Sequence, residues 1–187
     1  MAILRHAIIA AMQHFGDKKV VGAEIGSSIG NNAYETLTAW ENLEKLHMVD
    51  SFVVCPDFKS QEEQERNKFI LTSRFEGDPR TNIILKSSDD ACKMFEPKSL
   101  DFVYIDANHT YEAIKKDLIN WTPLVKDGGM VSGHDYEYWD DEKQIRSVKI
   151  AVEEYFDKSK LRFGVRVRLV DLDTFAFSIE CDWWIIV

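Results

Sequence analysis

Apolar residues recur along the chain in two rhythms, one of helical spacing and one of short continuous runs, and the two alternate. Over residues 3–15, Leu4, Ile8, Ala11, Met12 and Phe15 fall at helical intervals, which predicts an amphipathic helix ended by Gly16-Asp17. Val20 to Ile25 is a short apolar run entering Gly26, the pattern of a buried strand running into a glycine turn. Asn31 or Asn32 can cap a second helix carrying Ala33, Leu37, Trp40 and Leu43 on one face. Leu46 to Val49 reads as a second strand, with Asp50 at its carboxyl end. The connection over 51–59 is unusually apolar, with Phe52, Val53, Val54 and Phe58 around Cys55-Pro56-Asp57, and long connections of this kind often act as lids.

The same alternation continues downstream. Ser60-Gln-Glu-Glu63 is a capping-box pattern that opens a charged helix to about Phe75, before Gly77-Asp78-Pro79 breaks it. A third strand is expected at Asn82–Leu85, a short helix at Asp89–Phe95, and a fourth strand at Leu100–Ile105, ending at Asp106. Tyr111, Ile114, Leu118 and Trp121 define the buried face of the next helix, which Pro123 stops. After the turn at Lys126-Asp127-Gly128-Gly129, Met130-Val131-Ser132 forms a fifth strand that delivers Gly133-His134-Asp135. A last helix carries Ile145, Val148, Val152, Tyr155 and Phe156. Phe163, Val165, Val167 and Leu169 then alternate with polar residues in the period of a half-buried strand, and Thr174–Ile179 and Trp183–Val187 are two further strand candidates.

Strand and helix alternating through residue 157 point to right-handed βαβ units around a mostly parallel sheet. The expected fold class is a Rossmann-like, doubly wound α/β sheet with helices on both faces and an antiparallel C-terminal strand. A single domain over 1–187 is expected: an N-terminal helix at 3–15, a core at 20–136, and a C-terminal helix with antiparallel strands at 143–187. In such sheets ligands sit outside the carboxyl ends of the strands, at the point where the strand order reverses. The positions to inspect are therefore Glu24–Gly30, Asp50, Ser87–Asp90, Asp106–His109 and His134-Asp135. Carboxylates recur at nearly every one. A charge at the end of a buried strand is costly unless it binds something, so these acids imply a ligand rich in hydroxyls, amines, positive charge or metal.

Composition narrows the class further. With 187 residues, 23 Lys and Arg against 32 Asp and Glu, and a net charge of −9, the chain is long enough for one self-sufficient core and too acidic for a nucleic-acid scaffold. Cys55, Cys92 and Cys181 are odd in number and far apart, which suits buried thiols in a reducing compartment rather than a disulfide framework or zinc site. The N-terminus lacks a signal-peptide pattern and no run is long enough to span a membrane, so a cytoplasmic location without membrane association is expected.

Gly26 and Gly30 bound the first strand-to-helix turn as G-x-x-x-G, neither the dinucleotide G-x-G-x-x-G nor a P-loop. Asp50, 26 residues after Glu24, suits hydrogen bonding to a ribose diol. Taken with Val21-Gly-Ala-Glu-Ile-Gly26, Lys45-Leu-His-Met-Val-Asp50, Leu100-Asp-Phe-Val-Tyr-Ile-Asp-Ala-Asn-His109 and Asp127-Gly-Gly-Met-Val-Ser-Gly-His-Asp-Tyr136, the chain resembles class I S-adenosylmethionine-dependent methyltransferases, and within them the methyltransferase domain 24 group. The resemblance covers roughly residues 20–157.

What the resemblance implies can be written position by position. Glu24, Gly26, Ser27 and Gly30 would form the turn around the methionine end of the cofactor. Asp50 would hold the ribose diol, Ser88 and Asp89 would face the adenine, and Asp106 would lie near the methionine amine or a metal. The Ser-Ser-Ile-Gly-Asn-Asn stretch at 27–32 departs from the usual aromatic or basic positions of that loop. Some relatives bind a divalent ion here, and Asp106, His134 and Asp135 are the candidate ligands for Mg2+. Alternatively, Asp106 contacts only the cofactor, and His134-Asp135 holds the turn. His109 is a candidate base, with Asp106 the second catalytic candidate; the alternative reading is a helix-capping or loop-ordering histidine. Tyr136, Tyr138 and Trp139 are candidate walls of an acceptor pocket. His6, His14 and His47 read as structural.

The expected activity is methylation of an oxygen on a small molecule or sugar. The alternatives are a nucleotide- or NAD-using enzyme on the same kind of fold, or a non-catalytic binding protein that retains it. Acceptor specificity would come from 51–59, from the 134–142 loop or from a partner subunit, a homo-oligomer among them.

Overall fold

The computed structural model describes residues 4–54, 60–140, 142–171 and 176–187. Thirteen principal elements follow one another: α1 (His6–Phe15), β1 (Val20–Ile25), α2 (Asn31–Ala39), β2 (Leu43–Val49), α3 (Gln61–Arg74), β3 (Thr81–Ile84), α4 (Ser88–Ala91), β4 (Leu100–Ile105), α5 (Tyr111–Trp121), β5 (Val125–Gly133), α6 (Ser147–Tyr155), β6 (Arg162–Asp171) and β7 (Ala176–Ile186). They build one seven-stranded sheet of order β3-β2-β1-β4-β5-β7-β6. The first five strands pair in parallel, and β7 runs antiparallel to both of its neighbours. The chain winds outward from β1 through β2 to β3, then returns to begin again at β4. The reversal between β1 and β4 is the switch point that opens a crevice above the strand ends.

Each face of the sheet carries its own apolar core. In β4 every residue is buried: Leu100, Val103 and Ile105 join one core, while Phe102 and Tyr104 join the other. The first core receives Ala91 of α4, Ile114, Leu118 and Trp121 of α5, and Val148 and Val152 of α6. The second receives Ala7, Ile8 and Ala11 of α1, Ala33 and Leu37 of α2, and Leu71 of α3. The i, i+3, i+4 stripes that predicted these helices are thus the faces they bury. Ser60 caps α3 as its motif predicts, its hydroxyl accepting from the Glu63 N–H at 3.1 Å.

Several boundaries differ from the sequence expectation for physical reasons. The first helix starts at His6, not residue 3. Leu43, expected on the second helix, instead opens β2, because that helix stops at Ala39 and a turn from Trp40 to Leu43 redirects the chain. The fifth strand reaches back to Val125 through the expected turn, because Gly128 and Gly129 bond to Val187 at the end of β7. The two strands expected over 174–187 are one continuous β7 from Ala176. Glu180-Cys181-Asp182 reads as an interruption, yet Asp182 is buried with distant partners, accepting from the Ala7 N–H at 3.0 Å and from the Tyr104 hydroxyl at 3.2 Å. The Cys55–Phe58 part of the apolar connection lies outside the described residues; Phe52 is buried, and Val53 and Val54 are exposed.

Asp182 therefore pins the first turn of α1 to the sheet. Asp182→Ala should leave that N–H and hydroxyl buried without an acceptor and lower the unfolding free energy by about 2–4 kcal/mol. Urea denaturation of the two proteins measures the difference.

Candidate functional site

The turn after β1 decides the shape of the crevice. Gly26 has φ +91°, and a Cβ there would stand 2.1 Å from the Asp106 carbonyl oxygen, so only glycine lets this turn approach the end of β4. The Gly26 N–H donates to the Val49 carbonyl at 2.8 Å, and the Asp106 N–H donates to the Ile25 carbonyl at 2.8 Å. These two bonds tie the ends of β1, β2 and β4 together and set Asp50 and Asp106 on either side of the turn. Above it lies a cavity of about 790 Å3, lined among others by Gly26, Ser28, Asp50, Asp89, Asp106, His109 and Asp117. That volume lies within the roughly 300–1,000 Å3 typical of small-molecule sites.

Asp50 is held by its own loop. One carboxylate oxygen accepts from the Ser28 N–H at 2.8 Å and the other from the Phe52 N–H at 2.9 Å. Ser28 and Phe52 both have positive φ, a conformation that side chains other than glycine adopt only when something rewards it. Here the two bonds to Asp50 do so. Each oxygen keeps a lone pair for a further donor. Ser27 is buried beneath this loop, its hydroxyl 3.4 Å from the Glu24 carbonyl. Gly30 packs against Leu71 of α3 and Phe75 just after it, away from the cavity lining.

Glu24 is only 3% exposed. One of its oxygens accepts from the Asn32 amide at 2.7 Å, and the other has no hydrogen-bond partner among the described residues. Burial, opposed by the Asn32 bond and reinforced by the charge of Asp106, pushes this carboxyl up to about 7. A buried carboxyl with a vacant acceptor oxygen suits a cationic or amine donor.

On the other side of the turn four side chains converge. His109 Nε2 lies 3.4 Å from an Asp106 oxygen and 3.1 Å from an Asp135 oxygen. His134 Nδ1 lies 3.0 Å from the same Asp135 oxygen and 3.9 Å from Asp106. Ligand atoms of Asp106, His134 and Asp135 all fall within 4.8 Å of one another, as a metal site requires. The other nitrogen of His134, Nε2, faces the Arg5 guanidinium at 2.5 Å. A guanidinium only donates, so Nε2 carries the lone pair and Nδ1 carries the proton that is aimed at Asp135. In this arrangement His134 orients Asp135 rather than offering a lone pair to an ion. Burial alone would raise Asp135, but the His134 hydrogen bond and the neighbouring cationic groups outweigh it and hold the carboxyl below its ordinary value. Arg5, which also pairs with Glu180 at 3.0 Å, has no signal in the sequence, because only the docking of α1 brings it here.

At the far end of the cavity, Ser88 and Asp89 both lie in the lining. Their polar atoms are already engaged. Asp89 is bound by Lys116 and by the Asn120 amide at 3.0 Å. The Ser88 hydroxyl accepts from the Trp121 indole N–H at 2.7 Å and donates to Asp117. Asp117 was not among the sequence candidates. The one available signal is an acid on the buried stripe of α5, between Ile114 and Leu118. Of the aromatic residues expected to wall an acceptor pocket, Tyr138 stacks obliquely near His109 with ring centres 5.0 Å apart. Trp139 is partly exposed. Tyr136 is buried and turned away, donating to Glu153 at 2.8 Å. His14 bonds the Gly128 carbonyl at 2.8 Å and His47 packs on Phe95, outside the cavity lining.

A sheet of this order, with a glycine turn and acids at successive strand ends, defines a class I methyltransferase fold. The chain belongs to the methyltransferase domain 24 family, whose model, described as "Methyltransferase domain", matches residues 23–136, more than half of its length. No curated protein sequence matches it. Among solved structures it is similar to the spermidine synthase from Thermotoga maritima, at 16% identity and a TM-score of 0.66, covering 97% of this chain and 56% of that one. It is also similar to an O-methyltransferase from Bacillus cereus in complex with SAH, at 10% identity and a TM-score of 0.66, covering 97% and 79%. Cofactor-bound Rv0187 from MTB gives 10% identity and a TM-score of 0.63, covering 99% and 84%. The chain thus spans a little over half the length of the spermidine synthase. At these identities the structural neighbours establish the fold. The family match does not favour the nucleotide-using or non-catalytic alternatives. Among the described residues no helix is long and apolar enough to cross a membrane.

Glu24 also makes stability depend on pH. Its carboxyl ionises near its ordinary value of 4.5 in the unfolded chain and near 7 in the folded one. Folding is therefore favoured most at low pH, and this contribution is lost as pH rises from about 4.5 through 7, by at most about 3 kcal/mol. Asp117, raised to about 6 by burial, acts in the same direction. Urea denaturation at pH 5 and pH 8 should show a smaller difference for Glu24→Gln than for the wild type.

Proposed function

We propose that this protein transfers the methyl group of S-adenosylmethionine to an oxygen of a small molecule. The observation that carries the reading is the Gly26 turn, with Asp50 and Asp106 both lining the cavity beside it. Asp50 would take the ribose hydroxyls on its remaining lone pairs, and Glu24 and Asp106 would meet the ammonium of the methionine end. That a Bacillus cereus O-methyltransferase of the same fold was crystallised with SAH supports this use of the cavity.

The sulfonium is an activated donor, so the protein's work is to align the acceptor, exclude water and remove one proton. His109 would perform the last task. It would take the proton of the acceptor hydroxyl and, once charged, lie against the carboxylates of Asp106 and Asp135. S-adenosylmethionine, held by Asp50, Glu24 and Asp106, would supply the methyl group to that oxygen as an activated donor, with its sulfur as the leaving group. A divalent ion is a second candidate cofactor. Asp106 and Asp135 would hold it through oxygen, with His134 fixing Asp135, and such an ion would lower the pKa of a bound hydroxyl.

Isothermal titration should show S-adenosylhomocysteine binding to the wild type, and Asp50→Ala should weaken it about tenfold or more. No binding to the wild type at millimolar ligand would sink the reading. His109→Ala should leave that affinity in place and lower kcat by about 10²–10⁴, once an acceptor is identified with labelled cofactor. In the same assay EDTA should suppress turnover and Mg2+ restore it; an unaltered rate in EDTA would remove the ion.

A further inference from the structure

β6 is the last strand of the sheet and pairs with β7 alone, so a row of backbone N–H and C=O groups along its ten residues faces outward. It also stands clear of the body of the sheet. β5 pairs only with Trp183–Ile186 of β7, so from Ala176 to Asp182 that strand has β6 as its strand neighbour, and the two rise as a ribbon past the carboxyl end of β5. A two-stranded ribbon is marginal by itself and needs further packing. On one face the residues entering α1 supply it: the Arg166 guanidinium donates to the Leu4 carbonyl, Arg5 pairs with Glu180, and a Cβ at Gly164 would stand 2.2 Å from that of His6.

The opposite face is apolar and open. Phe163, Val165 and Val167 recur at every second position of β6, with Ile179 across from Val167, and they are 44%, 57%, 61% and 63% exposed. Beside them opens a recess of about 410 Å3, lined among others by Leu161, Phe163, Val165, Cys181, Lys149 and Lys158. Charge sets this strand apart as well. Residues 158–168 carry five Lys and Arg and no acid, in a chain of net charge −9. Among the described residues no carboxylate lies within ion-pair distance of Lys160 or Arg162, and the Arg162 guanidinium donates instead to the Ser159 and Leu161 carbonyls at 3.2 and 2.9 Å.

We propose that β6 is the docking edge for an extended acidic segment of a protein partner, which adds to the sheet as an eighth strand. The segment's backbone pairs with the outer row of β6, its apolar side chains continue the row of Phe163, Val165 and Val167 and enter the recess, and its alternate acids lie on the side of Arg162 and Arg166. The alternation favours a strand over a lipid surface. Apolar residues and arginines point to opposite faces of β6, so a membrane touching one row would leave the other behind, whereas a strand lying alongside meets both. A second copy of β6 is disfavoured in turn, because it would set these cations against their own kind, a means by which edge strands resist self-pairing. None of these residues lines the cavity above the Gly26 turn, so the proposal holds whatever that cavity binds.

The probe is a synthetic peptide of about eight residues in which glutamate and valine alternate, titrated into the whole protein by calorimetry at low salt. It should bind about tenfold or more tightly than the same peptide with lysine for glutamate, and its affinity should fall as salt is raised. Amide hydrogen exchange followed by NMR should slow at every second residue of β6 and stay unchanged at β3, the opposite edge. Lys160→Glu combined with Arg162→Glu should weaken binding about tenfold or more, and so should Val165→Glu, whose exposed position tolerates the change. No binding of the glutamate peptide, equal affinity for the two peptides, unchanged affinity in either variant, or β6 amides that keep their exchange rates overturn the proposal. So does sedimentation of the protein with phosphatidylserine vesicles in place of peptide binding, which makes the face a lipid-binding one. Should the double variant not fold, Val165→Glu carries the test alone.

Discussion

The close approach of the Gly26 backbone to the end of β4 is the constraint on which the rest of this site depends. With no Cβ in the way, the Ile25 carbonyl reaches the Asp106 N–H while the Gly26 N–H reaches the Val49 carbonyl, so three strand ends are joined within one turn. Any side chain at 26 would meet the Asp106 carbonyl and force this turn away from the end of β4. The same turn fixes the separation of Asp50 and Asp106, because each follows directly on a strand held by those bonds. The positive φ of Ser28 and Phe52 is then a local cost of wrapping two N–H groups around Asp50.

Burial and pairing set the character of each acid around this turn. Glu24 and Asp117 are deeply buried with few partners, and both are raised, as desolvation dictates. Asp135 is also largely removed from solvent but lies between two histidines, and there pairing wins. The cavity therefore presents different acceptors at its two ends. One end holds Asp106 beside the His109 imidazole, and the other holds the buried carboxyl of Asp117, bonded to Ser88. Arg5 extends the first cluster backwards, linking His134 to Glu180 and so coupling the docking of α1 to the orientation of Asp135.

Much of this was legible in the chain. Buried parallel strands are apolar runs ended by a glycine or an acid, and β1 and β4 fall where those signals put them. Helix faces follow from the spacing of apolar residues, and the Ser60 cap follows from its motif. The harder positions share one property, which is that their partners are far away in sequence. Asp182 looks like a break in a strand until Ala7 and Tyr104 are brought to it. Asp117 is an acid on the buried stripe of α5 whose role appears only once Ser88 and the cavity wall meet it. His134 looks like a metal ligand from its motif, and only the approach of Arg5 shows which ring nitrogen holds the proton.

Local periodicity, and the residues that stop it, thus specify the order and kind of the elements and the set of acids that end the strands. The tertiary structure decided which of those acids face a common cavity, which are already satisfied, and which keep a vacant oxygen. The physical reason is that a carboxylate's role depends on its desolvation and its partners, and both are supplied by elements that meet only when the sheet is assembled.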